Sequence, residues 1–304
     1  MTRRSSDRVI LLQATIPAPS HGFLRGAIAR FLASRPEGSH SARLIALVGG
    51  AFRPPPGRAR IATALTMGLV VHSVFAVAVL AMIAAMYFGM SRSLGTLPWP
   101  YALLANAVLI VQFPLVHSLL LTRRGTGVLA KLAPGGYGGT LSTTTYAIIA
   151  SLQLLALFAL WTPSGIIWWQ AEGGTLVVMS ALYAASWALL MKASFDAGAE
   201  VQSGALGWLS MLQKRKPIFP DMPTTGFFRL IRQPIYVAFA LTLWTVPVWT
   251  PDQLALALTL TAYCLLAPIL KERRFEARYG ARFSAYKKEV PYAIPSFRKA
   301  SSDE

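Results

Sequence analysis

Long uncharged apolar runs, broken by short polar or Gly/Pro-rich intervals, dominate residues 61–270. Runs over 61–90, 101–121, 142–161 and 175–191 approach or exceed the roughly 18 residues that a helix needs to cross a bilayer. Each stops at turn formers or charges: Pro98 and Pro100, Arg123-Arg124, Thr162-Pro163-Ser164-Gly165, and Lys192. A further apolar stretch, 237–270, has Asp252 as its only charge and breaks between Pro247 and Pro251. It reads as a hairpin of two helices of roughly 14–18 residues, short for spans, which thin the bilayer locally or stay inside a bundle. The pattern predicts an all-α integral membrane protein with about six transmembrane segments, the last two a short helical hairpin, followed by a C-terminal helix. No βαβ alternation and no repeat period is evident.

Composition and charge sharpen this picture. The 304 residues are 54% apolar, with mean hydropathy +0.49, too apolar for a soluble domain. The net charge of +17 suits nucleic acid or a membrane surface. The spans decide for membrane lipid and against nucleic acid. Basic residues fill 1–60, 122–141, 192–233 and the C-terminus, whereas 91–98 and 163–174 hold only Arg92 and Glu172. Positively charged loops stay cytoplasmic, which places both termini and the C-terminal helix there. Trp168-Trp169 suits an aromatic belt at the other face, and Trp161, at the same level, reads as belt too.

Three regions follow: a basic extension 1–60, a membrane domain 61–297, and a tail 298–304. The extension has only Asp7 and Glu37 as acids. Phe23/Leu24, Ala27/Ile28 and Phe31/Leu32, with Arg25, Arg30 and Arg35 between, suit an interfacial amphipathic helix. A disordered segment with Pro54-Pro55-Pro56 as linker is the alternative, and the Arg- and Ser-rich start also suits a transit peptide.

Candidate chemistry is confined. The lone Cys264 excludes an internal disulfide and a cysteine metal cluster. His21, His40, His72 and His117 lack metal-ligand spacing, and His72 reads as a bundle-facing or interfacial residue. Pro134-Gly135-Gly136-Tyr137-Gly138-Gly139 follows no strand and precedes no Walker lysine, so it reads as a connector. Two polar clusters bracket the hairpin instead, Arg232-Gln233-Pro234-Ile235-Tyr236 before it and Lys271-Glu272-Arg273-Arg274 after it. A hairpin returns to the face it left, so the clusters should meet. Arg232 suits a carboxylate, and Glu272 suits hydroxyls or an ammonium. Tyr236, four residues on from Arg232, offers a ring face to a cation. Each also has a plainer role, as topology charge, solvated helix end and interfacial anchor. His117, at the cytoplasmic end of the second span, is either a base or substrate contact or a hydrogen-bonded bundle histidine.

Arg232-Gln233-Pro234-Ile235-Tyr236, a helical hairpin, Lys271-Glu272, and the tail Gly280, Phe283, Tyr286, Val290-Pro291 together resemble the isoprenylcysteine carboxyl methyltransferase and phospholipid methyltransferase group. Its pattern is Arg-His-Pro-x-Tyr, Glu-Glu and Gly-x-x-Tyr-x-x-Tyr-x-x-x-Val-Pro. Within that group, Phe113-x-x-x-His117-Ser118-Leu119-Leu120, the stretch Ser142-Thr143-Thr144-Thr145-Tyr146, Trp161-Thr162-Pro163, Phe195-Asp196 and Trp244-x-x-Pro247 look like the membrane methanethiol S-methyltransferases. The likeness covers roughly 61–297.

The resemblance implies methyl transfer from S-adenosylmethionine to a small thiol, turning methanethiol into dimethyl sulfide, in a bacterial inner membrane. Alternatives are a lipid-like acceptor (a prenylated cysteine or a phospholipid) and a non-catalytic relative. It implies His117, Gln233 and Tyr236 as catalytic residues. Arg232, Gln233, Pro234, Tyr236, Glu272, Arg282 and Tyr286 would bind S-adenosylmethionine. Four departures stand out. Gln233 replaces the histidine and takes no proton at neutral pH. Lys271 replaces one carboxylate, Phe283 replaces a tyrosine, and Ala238 replaces a glycine.

Overall fold

The computed structural model describes residues 40–295. Its helices are α1 (His40–Ala51), α2 (Arg58–Tyr87), α3 (Tyr101–Leu120), α4 (Arg123–Leu132), α5 (Gly138–Leu160), α6 (Gly173–Asp196), α7 (Ala199–Gln202), α8 (Ala205–Leu212), α9 (Pro234–Trp244), α10 (Pro251–Tyr279) and α11 (Ala281–Glu289). Two-residue strands, β1 (Trp169–Gln170) and β2 (Val248–Trp249), pair antiparallel. Helices α2, α3, α5, α6 and α10 are long and apolar enough to cross a membrane. The amphipathic stretch around Phe23–Leu32 and the tail 298–304 lie outside the described residues.

The apolar runs form helices because nothing within them offers the backbone another partner, and hydrocarbon tolerates only internally bonded backbone. Their outer faces carry bare apolar side chains: Leu69 is 71% exposed and Val177 69%. Patches of that extent want lipid rather than water. Inside, one core joins Met82, Met86, Leu157, Phe158, Leu243, Leu256 and Leu260, while a second joins Ala64, Leu141, Met211 and Leu212. Polar ties cross between spans. Gln153 Nε2 donates to Gln112 Oε1 at 2.7 Å, and Tyr183 donates to the Ile83 carbonyl at 2.8 Å. An unpaired polar group is costly at that depth.

The two ends of the bundle differ. At the far end, β1 meets β2, closing the hairpin tip against the loop after α5. Trp161 is not belt: it is 4% exposed, and its Nε1 donates to Asp252 Oδ1 at 3.0 Å. Asp252 also accepts from Ser164 Oγ at 2.6 Å, which satisfies the one acid of the apolar stretch. Trp168 and Trp169 remain exposed, as a belt requires.

The hairpin is asymmetric, unlike the two 14–18-residue arms expected. The first arm, α9, has 11 residues and the second, α10, has 29. Lys, Glu and Arg are good helix formers, so α10 runs on through 271–278 until Gly280, whose φ of 50° ends it.

The stretch 192–233, expected as a loop, contains α7 and α8. Leu206, Leu209, Met211 and Leu212 of α8 are buried between α2 and α5. Gly204, with φ 74°, starts α8, and its carbonyl accepts from Thr144 Oγ1 at 2.7 Å. The buried Arg60 caps the other end of α8, donating to the carbonyls of Met211 (2.7 Å) and Leu212. Helix α1 is tied on through Gln213 Nε2, which donates to the Leu47 carbonyl at 2.7 Å. The described part of the basic extension is therefore bonded to the bundle through Leu47 and Arg60.

A Cβ at Gly204 would lie 2.7 Å from the Ala147 Cβ and 3.0 Å from Val71 Cγ2. Crowding adds to the left-handed backbone penalty. Gly204→Ala should cost about 2 kcal/mol and lower the thermal midpoint of the detergent-solubilised protein. An unchanged midpoint would show that α8 docks loosely.

Candidate functional site

The motif end of the bundle is built from the C-terminus of α6 inward. Asp196 Oδ2 accepts from the Phe227 amide at 2.9 Å, and Lys192 pairs with Asp196 one turn earlier. This pins a 3-10 turn, Gly226–Arg229, that buries Phe228. Pro234 opens α9 at a position where its missing N–H costs nothing. The amides of Arg232 and Gln233 donate instead to the carbonyls of Pro291 (2.9 Å) and Tyr292 (3.1 Å). Arg232 Nη1 adds a bond to the Val290 carbonyl at 2.6 Å. The tail motif is thus laid alongside the first motif by backbone bonding.

Across the hairpin, Glu272 Oε1 accepts from Arg232 Nε at 2.8 Å and from Gln233 Nε2 at 2.8 Å. Its other oxygen is held loosely, with Arg232 Nη2 at 3.5 Å and Lys287 Nζ at 4.0 Å. Lys271 Nζ donates to Gln233 Oε1 at 3.2 Å. Gln233, 2% exposed, therefore bridges a carboxylate and an ammonium with the two ends of one amide. The two departures from the family pattern are in contact and complementary. The Lys271 ammonium also lies 5.5 Å from the Phe228 and Phe275 ring centroids and 5.8 Å from that of Tyr236, within cation–π range.

The expected site residues divide into three groups. Arg232, Gln233, Glu272 and Tyr286 line one pocket, closed by Phe228, Phe275 and Phe283 and enclosing about 10 Å³, the space of about one water. Pro234 and Tyr236 continue from it along α9. Arg282 stands outside that pocket, in an exposed ion pair with Asp221 at 2.6 Å. It lines an adjoining groove of about 470 Å³ with Arg229, Glu289 and Tyr286, within the usual range for small-ligand sites. Tyr286 is common to pocket and groove. Slight burial acts to raise the Asp221 carboxyl, but the hydrogen bonds from Arg282 and the Met222 amide leave it below its usual range.

Tyr286 donates its hydroxyl to the Phe228 carbonyl at 2.6 Å, tying α11 to the 3-10 turn. Burial, with Glu272 nearby and against the opposing pull of Arg232, pushes this phenol up to about 12. A raised phenol stays protonated, and keeps its bond, until the pH approaches that value. Tyr286→Phe should weaken adenosyl-nucleoside binding about 5-fold, the worth of one hydrogen bond. The deficit should be equal at about pH 7 and about pH 9, read by calorimetric titration. A deficit that vanishes at the higher pH would contradict the assignment.

His117 lies apart from the Arg232 pocket. Its Nε2 is 2.7 Å from the Tyr146 hydroxyl, and its Nδ1 is buried without a hydrogen-bond partner. The Phe113 ring stands at 5.0 Å and the Tyr263 ring at 6.5 Å. The hydroxyls of Tyr146, Tyr236 and Tyr263 and the Arg274 guanidinium are within electrostatic reach of one another. Tyr236 thus belongs to the motif cluster on one side and to the His117 cluster on the other.

Sequence reasoning missed Phe228, Phe275 and Tyr263 as walls. Tyr263, Lys271 and Phe275 recur at helical spacing on α10, a signal that could have found two of them. Among the described residues no group of acids, histidines and cysteines forms a metal site.

No protein-family model matches the chain, and no solved structure matches it. Curated relatives do. The methanethiol S-methyltransferase of Pseudomonas deceptionensis is 28% identical over 202 residues, 66% of this chain and 76% of the relative. One from a second Pseudomonas is 29% identical over 200 residues, 65% of this chain and 75% of the relative. One from Crocosphaera subtropica is 28% identical over 203 residues, 66% of this chain and 77% of the relative. With five helices long and apolar enough to cross a membrane, and its two motifs in contact across a hairpin, the chain is similar to the methanethiol S-methyltransferases over about two thirds of its length.

Proposed function

We propose that this protein is an integral membrane methyltransferase that uses S-adenosylmethionine to methylate a small thiol, with methanethiol as the leading acceptor. The observation that carries the reading is the contact of Arg232, Gln233 and Glu272 across the hairpin, because it joins the resembling motifs into one site. The relatives' names supply the acceptor. The basic loops gather at the motif end, so this face, with both termini, is assigned to the cytoplasm of a bacterial inner membrane.

The donor set fits the proposed cofactor. A guanidinium, an amide, a carboxylate with one loosely held oxygen and aromatic faces complement a carboxylate, an ammonium, ribose hydroxyls and a sulfonium. When bound, S-adenosylmethionine supplies an activated methyl group on positively charged sulfur. Arg232 would hold its carboxylate, Glu272 its ammonium or ribose, and the groove beside Tyr286 the remainder. The Phe228, Phe275 and Phe283 walls keep water out, where positioning of the reactants contributes most.

The acceptor side is assigned to His117. A cysteine thiol titrates at ~8.5, and a simple alkyl thiol is a weaker acid, so removing its proton needs help. The unpartnered Nδ1 of His117 takes that proton, while Tyr146 fixes the ring through Nε2. The test is purified protein with methyl-labelled S-adenosylmethionine, a panel of small thiols, and native lipid. Label in a volatile thioether is the expected result. Label in lipid alone would transfer the assignment to a lipid-like acceptor, and no transfer with no nucleoside binding would make the protein a non-catalytic relative.

A further inference from the structure

Charge at the pocket is unbalanced. Glu272 is matched by Arg232 at 2.8 Å. Lys271 is left over: among the described residues no carboxylate lies within salt-bridge distance of it, and its one hydrogen bond goes to the neutral amide of Gln233. An ammonium has three N–H donors, so two remain for a ligand. The rings of Phe228, Tyr236 and Phe275 hold the cation in place without adding negative charge. The other charged or titratable neighbours are Glu272 itself and Arg274 on α10, Tyr236 on α9 and Tyr286 on α11. Apart from Glu272, which Arg232 already matches, none supplies an anion at neutral pH. A methyl donor brings a further positive sulfur into this space, so a neutral amine acceptor would leave the excess uncompensated. An acceptor whose attacking atom is an anion completes it.

We infer that Lys271 holds the acceptor as a thiolate and so selects acceptors that attack through a negatively charged atom. The inference rests on the methyltransferase reading and adds the charge state of the acceptor to it. The thiol S–H bond breaks at the His117 cluster, where its proton passes to His117, and the thiolate moves along Tyr236, which borders both clusters, to Lys271. The thiolate sulfur, held by the Lys271 N–H groups, gives its electron pair to the methyl carbon. The bond from that carbon to the donor sulfur breaks, and its electron pair stays on the donor sulfur. The products are a neutral thioether and a neutral-sulfur nucleoside.

The test compares wild type, Lys271→Met and Lys271→Arg with alkyl thiols and a more acidic fluorinated alkyl thiol of similar size. Lys271→Met should lose about 30-fold in kcat/KM with alkyl thiols, where the enzyme must provide thiolate, and under about 3-fold with the acidic thiol, which ionises unaided. Lys271→Arg should restore most of the loss. Calorimetry with S-adenosylhomocysteine shows whether each variant retains a folded pocket; should Lys271→Met fail that check, Lys271→Gln takes its place. An equal loss on both thiols, in whichever variant binds the nucleoside, would overturn the role of Lys271. No wild-type activity on any thiol would instead overturn the proposed function.

Discussion

Glu272→Ala should abolish detectable adenosyl-nucleoside binding and lower methyl transfer at least about 100-fold. Glu272 is 8% exposed, and a single oxygen accepts from both Arg232 and Gln233. Removing it leaves the guanidinium with only backbone carbonyls and gathers two cations, Arg232 and Lys271, without an anion between them. Breaking a buried ion pair from one side costs about 3–5 kcal/mol, and about 3 kcal/mol is already a factor of about 100. The tail stays attached because Arg232 and Gln233 keep their amide bonds to Pro291 and Tyr292. The defect should therefore appear in ligand binding rather than in global unfolding. Glu272→Gln, which keeps an acceptor oxygen and loses the charge, should fall between. Wild-type nucleoside affinity in Glu272→Ala would place the donor site elsewhere.

His117→Ala should separate the two halves of the site. Its ring contacts Tyr146, Phe113 and Tyr263 and does not line the pocket around Arg232. Nucleoside affinity should stay within about 2-fold while kcat falls about 10²–10³-fold, the usual contribution of a positioned base. Tyr146→Phe should cost less, about 10-fold, because it frees the ring to rotate without removing the base. Stopped-turnover assays beside calorimetric titration read both quantities. Should His117→Ala melt early yet keep its turnover, the histidine is a bundle residue and the thiol proton leaves by another route.

The sequence made the spans legible because membrane helices advertise themselves through length alone. The break at Pro247 and Pro251 and the meeting of the two motifs followed from the same pattern. Helix α8 escaped because its apolar residues number fewer than a span needs and stand between charges; only its contacts with Gly68, Thr144 and Arg60 show that it is buried. Trp161 misled because an aromatic at a span's end suits a belt, and its partner Asp252 lies 91 residues away. The pairing of Lys271 with Gln233 was hidden in the same way. Each departure looked like a loss when taken singly, and only the fold brings the two together. Lys271 and Phe275 share a helical face that could have been noticed, had α10 been expected to continue beyond residue 270.

The brevity of α9 has a consequence for traffic. Eleven residues rise about 16 Å, roughly half of the ~30 Å hydrocarbon layer. The extended segment 245–250 makes up the rest of the descent, so the motif, about 30 Å along α10 from the hairpin tip, stands at the edge of the hydrocarbon layer. A volatile thiol dissolves readily in acyl chains, as does its thioether product, so both can pass sideways between helices. The ionic nucleoside proposed as donor would come from water through the groove beside Tyr286. Two reactants of opposite solubility would then arrive from two phases at one depth.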